Sequence, residues 1–332
     1  MKIALIGATG LVGQKMLQLL EEQNLRAEQL IVVASERSFG KTLYYCGTQH
    51  SIVSLREALE ARPELVLMSA GATLSRQAAP LFAAQGSLVI DNSSAWRRDE
   101  AVPLVIPEVN AAAIKAHHRI IANPNCSTIQ MVMALAPLHR AFGIKRLVIS
   151  TYQSVSGSGL KGIQQLDAEQ NKEKVSNPAY PHPIYKNVIP QGGDFNNEGD
   201  TAEEEKLLFE TRKILDSPNL AITATVVRVP VTGGHSMSVN VEFEQDFSLK
   251  MVRQLLEQSP GIVVQDDPRN SIYPMPLFAA DKDAVFVGRI RRDSSIAFGL
   301  NLWIVSDNLR KGAATNAVQI AKYLIDNKLV RL

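Results

Sequence analysis

The octapeptide Asn123-Pro124-Asn125-Cys126-Ser127-Thr128-Ile129-Gln130 holds one of the chain's two cysteines where a turn opens into a helix. Met131, Val132, Ala134 and Leu135 continue an apolar pattern behind it, which puts Cys126 in the first helical turn. Free backbone N–H groups and the positive end of the helix dipole favour a thiolate there, and a cysteine so placed is a nucleophile. The alternative is a small buried hydrophobe, the commoner fate of a free cysteine.

His235 lies in Val227-Arg228-Val229-Pro230-Val231-Thr232-Gly233-Gly234-His235-Ser236, just past an apolar strand and a Gly-Gly bend. An ordinary pKa of about 6.5 suits proton transfer in a cleft, whereas a loop histidine without a task is merely solvated. Arg228, inside the same apolar strand, needs a counter-charge: a buried ion-pair partner or a bound carboxylate. In Glu203-Glu204-Glu205-Lys206 the physics favours a plain acidic first turn of a helix, stabilised by the dipole.

Gly7-Ala8-Thr9-Gly10-Leu11-Val12-Gly13 follows the first apolar strand and opens the first helix. Glycines at this junction allow a tight turn and close approach of a pyrophosphate, to which the helix N-terminus offers donors. The GxxGxxG spacing differs from GxGxxG, and a simple strand-to-helix turn is the alternative. After the second strand, Ala34-Ser35-Glu36-Arg37-Ser38 offers a guanidinium and hydroxyls, with Arg37 and Ser38 matched to a 2′-phosphate and hence to NADP. Glu36 would instead read a ribose 2′-hydroxyl and favour NAD.

These residues need elements to position them. Strands are expected at 2–7, 30–34, 65–69 and 88–91, with helices at 11–23, 55–61 and 74–84 between them. Such alternation gives a doubly wound parallel sheet, a Rossmann-like α/β domain. Beyond Cys126 the runs 147–153, 221–231 and 236–243 are rich in β-branched residues and predict a mostly antiparallel sheet in an α+β domain. Helices at 162–174 and 201–215 are expected to cover one of its faces. A last helix at 311–327 is apolar enough to rejoin the first domain, so the expected boundaries are 1–125 with 308–332, and 126–307.

At 332 residues two domains are the natural expectation. With 35 basic against 33 acidic residues and no basic run, nothing points to nucleic acid. The opening apolar run ends in glycines suited to a phosphate loop rather than a cleavage site, and no stretch approaches the roughly 20 apolar residues of a membrane span. Cys46 and Cys126 form no disulfide framework, which fits a reducing cytoplasm. No metal site is expected: the six histidines show only the pair His117-His118, read as a surface pair on a helix.

Taken together, several segments resemble the aspartate-semialdehyde dehydrogenase family over essentially the whole chain. They are the glycine loop, Ala34-Ser35-Glu36-Arg37-Ser38, Val102-Pro103-Leu104-Val105-Ile106-Pro107-Glu108-Val109-Asn110, the cysteine octapeptide, and Thr151-Tyr152-Gln153-Ser154-Val155-Ser156-Gly157. Glu210-Thr211-Arg212-Lys213-Ile214-Leu215, the Arg228 to His235 run, and Ser306-Asp307-Asn308-Leu309-Arg310-Lys311-Gly312-Ala313-Ala314 complete the set.

The resemblance implies reversible reduction of L-aspartyl 4-phosphate by NADPH to L-aspartate 4-semialdehyde with release of phosphate, a step toward lysine (by way of diaminopimelate), methionine and threonine. In that reading Cys126 is the nucleophile that carries a thioester and His235 the acid–base residue. Gln153 orients substrate, Arg228 grips its carboxylate, Arg97 and Lys206 bind phosphate, and Glu204 meets the amino group. Gly7, Thr9, Gly10, Leu11, Val12, Gly13, Arg37 and Ser38 would hold NADP(H), with Ser156, Gly157 and Asn308 at its nicotinamide end. A homodimer through the second domain's sheet is implied, with a tetramer as the larger alternative, and the site would lie in the cleft between domains. Met237 stands where several members carry glutamate, and Lys186 departs from a more apolar segment. The nearest competing family, N-acetyl-γ-glutamyl-phosphate reductase, usually has Gly-Cys where this chain has Asn125-Cys126. Glyceraldehyde-3-phosphate dehydrogenase shares the thioester logic with other residues around its cysteine. A catalytically silent NADP-binding paralogue would have no reason to keep Cys126, His235, Arg228 and Gln153.

Overall fold

The computed structural model describes residues 1–330, and the chain divides into two units, Met1–Asn125 with Ala313–Leu332, and Cys126–Gly312. The return falls later than the expected 308 because the residues before it are tied into the second unit. Asp307 accepts a hydrogen bond from the Asp281 N–H (2.7 Å) and Asn308 from the Gly234 N–H (3.1 Å). Residues 331 and 332 of the expected closing segment lie outside the described residues.

The first unit runs β1 (Lys2–Ile6), α1 (Leu11–Glu22), β2 (Gln29–Val33), β3 (Thr42–Tyr45), β4 (Thr48–Val53), α2 (Leu55–Glu60), β5 (Leu65–Met68), α3 (Ala72–Ala84), β6 (Leu88–Asp91), α4 (Pro107–Asn110) and β7 (Ile120–Ala122). Its sheet has the order β3-β4-β2-β1-β5-β6-β7, parallel throughout except for the edge hairpin β3–β4. Alternate residues explain why the central strands are apolar on both faces. Ile3, Leu5, Leu65, Leu67 and Ile90 meet Met16 and Leu20 of α1 and Val318, Ile320 and Leu324 of the closing helix Thr315–Asp326. Ala4, Ile6, Val66, Met68 and Val89 meet Ala58 of α2 and Ala78, Ala79 and Phe82 of α3. Helices on both faces leave no side of a parallel strand to water. Asn316 of the closing helix donates to the Val105 carbonyl (2.9 Å) and to Asn123 Oδ1 (2.7 Å). His117 and His118 sit in a turn rather than a helix, with ring centroids 4.2 Å apart.

The second unit contains α5 (Cys126–Phe142), β8 (Ile144–Gln153), α6 (Leu160–Gln170), α7 (Ala202–Ile214), β9 (Ala221–Arg228), β10 (His235–Phe243), α8 (Leu249–Glu257), β11 (Ile262–Val264), α9 (Pro276–Ala279), β12 (Val285–Asp293) and β13 (Gly299–Ser306). The sheet order is β11-β12-β13-β10-β8-β9. Its three inner pairings are antiparallel as expected, while both outer pairings, β11–β12 and β8–β9, are parallel, so the sheet is mixed. Leu147, Met237, Val239, Val241, Leu300 and Ile304 are wholly buried on the inner face. The helices α5, α7 and α8 pack on the sheet, and the short α9 meets β13. The α6 helix, expected to share that role, instead packs with Val155, Tyr180, Ile184 and Ile189 in a separate small cluster through Leu166. Met237 is core, which accounts for an apolar residue there. Lys186 is exposed in a left-handed turn (φ +58°), its ammonium 5.3 Å from the Tyr185 ring centroid. Among the described residues no helix is long and apolar enough to cross a membrane.

Candidate active site

Strand register brings the chemistry of the second unit together. Gln153 ends β8 and pairs with Arg228, which ends β9, while His235 begins β10 beside them, Ser236 pairing with Tyr152. Cys126 is the first residue of α5, and Gln130, one turn on, donates from Nε2 to the His235 carbonyl (3.2 Å). Ser127 accepts from Gln153 Nε2 (2.9 Å). The helix that presents the thiol is therefore tied to both neighbouring strand ends. Gln130 and Ser127 are positioning residues that sequence reading missed, since polar residues on an apolar helix look incidental until a partner faces them.

Gly157 is where the groups converge. A Cβ built there would lie 2.7 Å from Arg228 Nη1 and 3.0 Å from His235 Nε2, so only glycine leaves these atoms room. Both atoms are buried without a hydrogen-bond partner, as is Gln153 Oε1. Buried donors and acceptors left unmade cost free energy that a bound ligand recovers. Burial, with the Arg228 guanidinium next in weight, pushes the His235 pKa down to about 3, while Glu203 opposes the shift, so the ring is neutral at pH 7.

That shift has a sign for stability. The unfolded chain binds a proton on this ring below pH 6.5 and the folded one does not until about pH 3. Unfolding free energy therefore falls as pH drops through that window, by at most about 1.4 kcal/mol per pH unit from this group, and is indifferent to it at higher pH. Denaturant titrations from pH 7 to pH 4 should give a shallower fall for His235→Asn than for the wild type; parallel curves would remove the argument.

A cleft of about 460 Å³ opens beside Arg228, lined also by Glu203, Lys206, Ser158 and Gly192. Lys206 donates to Glu203 across one helical turn (2.5 Å). Glu204 is not part of it, a correction to the sequence reading. Its carboxylate accepts from Thr201 N (2.6 Å), Thr201 Oγ1 (2.8 Å) and Val226 N (2.7 Å), capping α7 and fixing it to β9. The acidic run thus serves both readings, structure at Glu204 and, at Glu203, a carboxylate that lines the cleft in a pair with Lys206. Ser156 and Asn308 bond to each other, Asn308 Nδ2 donating to Ser156 Oγ (3.1 Å).

In the first unit the glycine loop has the shape expected of it. Gly7 has φ +82° and a Cβ there would meet the Ser69 carbonyl at 2.3 Å, so the bend admits only glycine. Gly10 stands at the N-cap position of α1, and no side chain hydrogen-bonds to cap the first turn, which Leu11, Val12 and Gly13 form. A cleft of about 570 Å³ above it is lined by Gly7, Thr9, Gly10, Ser35, Glu36, Phe39, Ser54 and Arg56. This apolar slot ending at an uncapped helix fits a dinucleotide. Arg37 and Ser38 do not line it: Arg37 is exposed on the turn Glu36–Ser38 and Ser38 is buried. Arg56 is the arginine that lines it, and nothing in sequence separates it from other surface arginines of a short helix. Arg97 is buried and donates to the Asn92 carbonyl (2.9 Å). Asp91 nearby is raised above the usual carboxylate range by burial, against hydrogen bonds from Ser93. Among the described residues no cluster of three or more potential metal ligands occurs.

Residues 2–117 match the family described as semialdehyde dehydrogenase, NAD binding domain, and residues 135–311 match semialdehyde dehydrogenase, dimerisation domain. An aspartate-semialdehyde dehydrogenase of Aquifex aeolicus is 47% identical, with 99% of each chain covered. The crystal structure of aspartate semialdehyde dehydrogenase II of Vibrio cholerae complexed with ASA superposes with a TM-score of 0.94 at 43% identity, covering 98% of each chain. A Candida albicans aspartate semialdehyde dehydrogenase solved with NADP gives 0.79 at 25% identity over 99% of both. Likeness of this extent leaves one reading of its ancestry: the chain belongs to the aspartate-semialdehyde dehydrogenase family.

Proposed function

We propose that this chain catalyses the reversible, NADPH-dependent conversion of L-aspartyl 4-phosphate to L-aspartate 4-semialdehyde and phosphate through a thioester on Cys126. The observation that carries the reading is the convergence of two buried, unpartnered atoms, His235 Nε2 and Arg228 Nη1, on Gly157 in the unit that Cys126 opens. Bound NADPH supplies the hydride. The Cys126 sulfur attacks the acyl carbon, phosphate leaves, and the acyl group rests on sulfur, one hard step divided into two. His235 Nε2 exchanges a hydrogen with the oxygen at that carbon, and after reduction the C–S bond breaks to free the aldehyde and return the Cys126 thiolate. Arg228 forks the α-carboxylate, and Glu203, rather than Glu204, takes the ammonium. Lys206 and Arg97 are assigned to phosphate, and Gln153 Oε1 and Nε2 to orientation of the acyl group.

NADP(H) is assigned to the slot above Gly7, Thr9 and Gly10, with Arg56 and Arg37 as the cations for its 2′-phosphate, and Ser156, Gly157 and Asn308 are assigned to its nicotinamide end. The second unit assembles as a homodimer through the outer face of its sheet, where Tyr152 and Trp303 meet with their ring planes tilted by 50° (centroids 5.4 Å apart) beside half-exposed Tyr273 and Met275. The reaction belongs in the cytoplasm, in synthesis of lysine, methionine and threonine.

The test is reduction of NADP by L-aspartate 4-semialdehyde, followed by NADPH absorbance with and without phosphate. Rate that requires phosphate supports the proposal. A silent enzyme that turns over N-acetyl-glutamate semialdehyde would move it to the neighbouring family. Glu203→Gln is expected to raise the semialdehyde KM roughly 10-fold at unchanged thermal stability. Glu204→Gln should instead lower unfolding free energy by about 1–3 kcal/mol with little change in KM. The reverse pattern would restore Glu204 to the site.

A further inference from the structure

The backbone around Ser154 is held on both sides: the Val229 N–H donates to the Gln153 carbonyl (3.0 Å) and the Val155 N–H to the Val231 carbonyl (2.9 Å). Between them the Ser154 N–H donates to His235 Nδ1 (3.1 Å). A backbone amide is only a donor, so in the neutral ring Nδ1 carries the lone pair and Nε2 the hydrogen. The hydrogen is therefore on the nitrogen that lies 3.0 Å from where a Gly157 Cβ would sit. The Ser154 hydroxyl also reaches Nδ1 (3.0 Å), and the same oxygen lies 3.1 Å from Asn308 Oδ1 and 3.0 Å from Ser156 Oγ. A hydroxyl can donate or accept. When the ring is neutral, Ser154 Oγ is dispensable to it. When the ring is charged, Nδ1 bears a hydrogen and requires an acceptor, and Ser154 Oγ is in place while its own hydrogen passes to Asn308.

We infer that Ser154 is a positioning residue for His235: its N–H fixes the neutral ring with the hydrogen on Nε2, and its hydroxyl, backed by Asn308, is the acceptor that lets the ring hold hydrogens on both nitrogens. Both serine groups are buried with the ring, so water cannot substitute for either. Arg228 from β9 faces the ring and disfavours its charge, while Glu203 from α7 and a backbone hydrogen bond to Gly234 favour it, so Ser154 Oγ acts alongside that backbone group. Ser154, Ser156 and Asn308 bring no charge of their own, so the hydroxyl acts by accepting. The inference rests on the proposed acid–base role of His235 for its effect on rate, not for its effect on the ring.

Two measurements test it. In protein labelled with ¹⁵N-histidine, the resting His235 ring at pH 7 should show an unprotonated Nδ1 and a protonated Nε2, and on lowering the pH to 4 should begin to charge in the wild type but not in Ser154→Ala. A protonated resting Nδ1, or identical titration of the two proteins, overturns the inference whether or not the enzyme acts on aspartate semialdehyde. In turnover, Ser154→Ala should lose roughly 10- to 100-fold in kcat, the size of a lost hydrogen bond to a charged group, with KM within about threefold and an altered pH profile. Ser154→Thr, which keeps the hydroxyl, should restore most of it. Equal loss in both variants, or wild-type kcat and pH profile in Ser154→Ala, also overturns it. Turnover lost from the wild type itself would fail the reaction assignment, while the ring spectra still decide the role of Ser154.

Discussion

Replacing Cys126 by alanine is expected to lower kcat by roughly 10⁴-fold or more while leaving NADPH binding and the thermal midpoint close to wild type. Removing a nucleophile abolishes the covalent route rather than weakening one contact, which is why its effect exceeds that of any binding residue. The residual rate comes from substrate held among the remaining groups. The prediction is specific to position 126. The other cysteine, Cys46, is exposed on the turn between β3 and β4 with φ +48°, and Cys46→Ala should be silent. That variant also isolates the thiol of interest. In Cys46→Ala, iodoacetamide should inactivate at neutral pH with one adduct on Cys126, because a sulfur at the start of a helix ionises more readily than a free thiol. Residual activity of Cys126→Ala near wild type, or slow alkylation like that of an ordinary thiol, would return Cys126 to the class of buried hydrophobes.

Arg228→Met is expected to reduce kcat/KM for the semialdehyde on the order of 10²-fold or more, mostly through KM. The guanidinium is buried and its Nη1 has no hydrogen-bond partner among the described residues. A carboxylate forked by it gains two charge-assisted bonds in a site that excludes water, and a methionine of similar length offers neither. Arg228→Lys should fall between, since an ammonium keeps the charge and loses the fork. The same substitution carries a second readout. Arg228 is, after burial, the main cause holding His235 well below the usual histidine range, so removing it should raise the pKa of that ring and move the acidic limb of the kcat profile to higher pH. A variant with unchanged KM and unchanged pH profile would show that Arg228 serves only as a strand residue. Succinate semialdehyde analogues, compared with substrates lacking the α-carboxylate, separate loss of the fork from general damage.

Much of this protein could be read directly from residue order. The doubly wound sheet follows from β1, β5 and β6, whose unbroken apolar runs allow only a strand covered on both faces. The glycine bend follows from backbone needs that no other residue meets at Gly7, and the start of α5 from a turn sequence followed by an apolar run. Local rules decide such features, so a linear string reveals them. The β3–β4 hairpin is not legible in sequence because its polar, half-exposed alternation resembles loop, nor is β12, because Arg289, Arg291 and Arg292 interrupt its apolar pattern.

The assignment of Glu203 against Glu204 could not be read that way. Two adjacent carboxylates on one helix differ only in the direction each faces, and that direction is set by what packs on α7. Thr201 and the Val226 N–H of β9 claim Glu204, leaving Glu203 to the cleft. The same holds for Arg37 and Arg56, and for Ser154, whose partner His235 is distant in sequence and reaches it only through the pairing of β8 with β10. Sequence by itself determined which chemical groups the chain possesses and which secondary structures carry them, because propensity, capping and periodicity act between near neighbours. Tertiary structure alone decided which of those groups share one buried space, because contact across strands depends on register and packing, and a hydrogen bond exists only where both partners arrive.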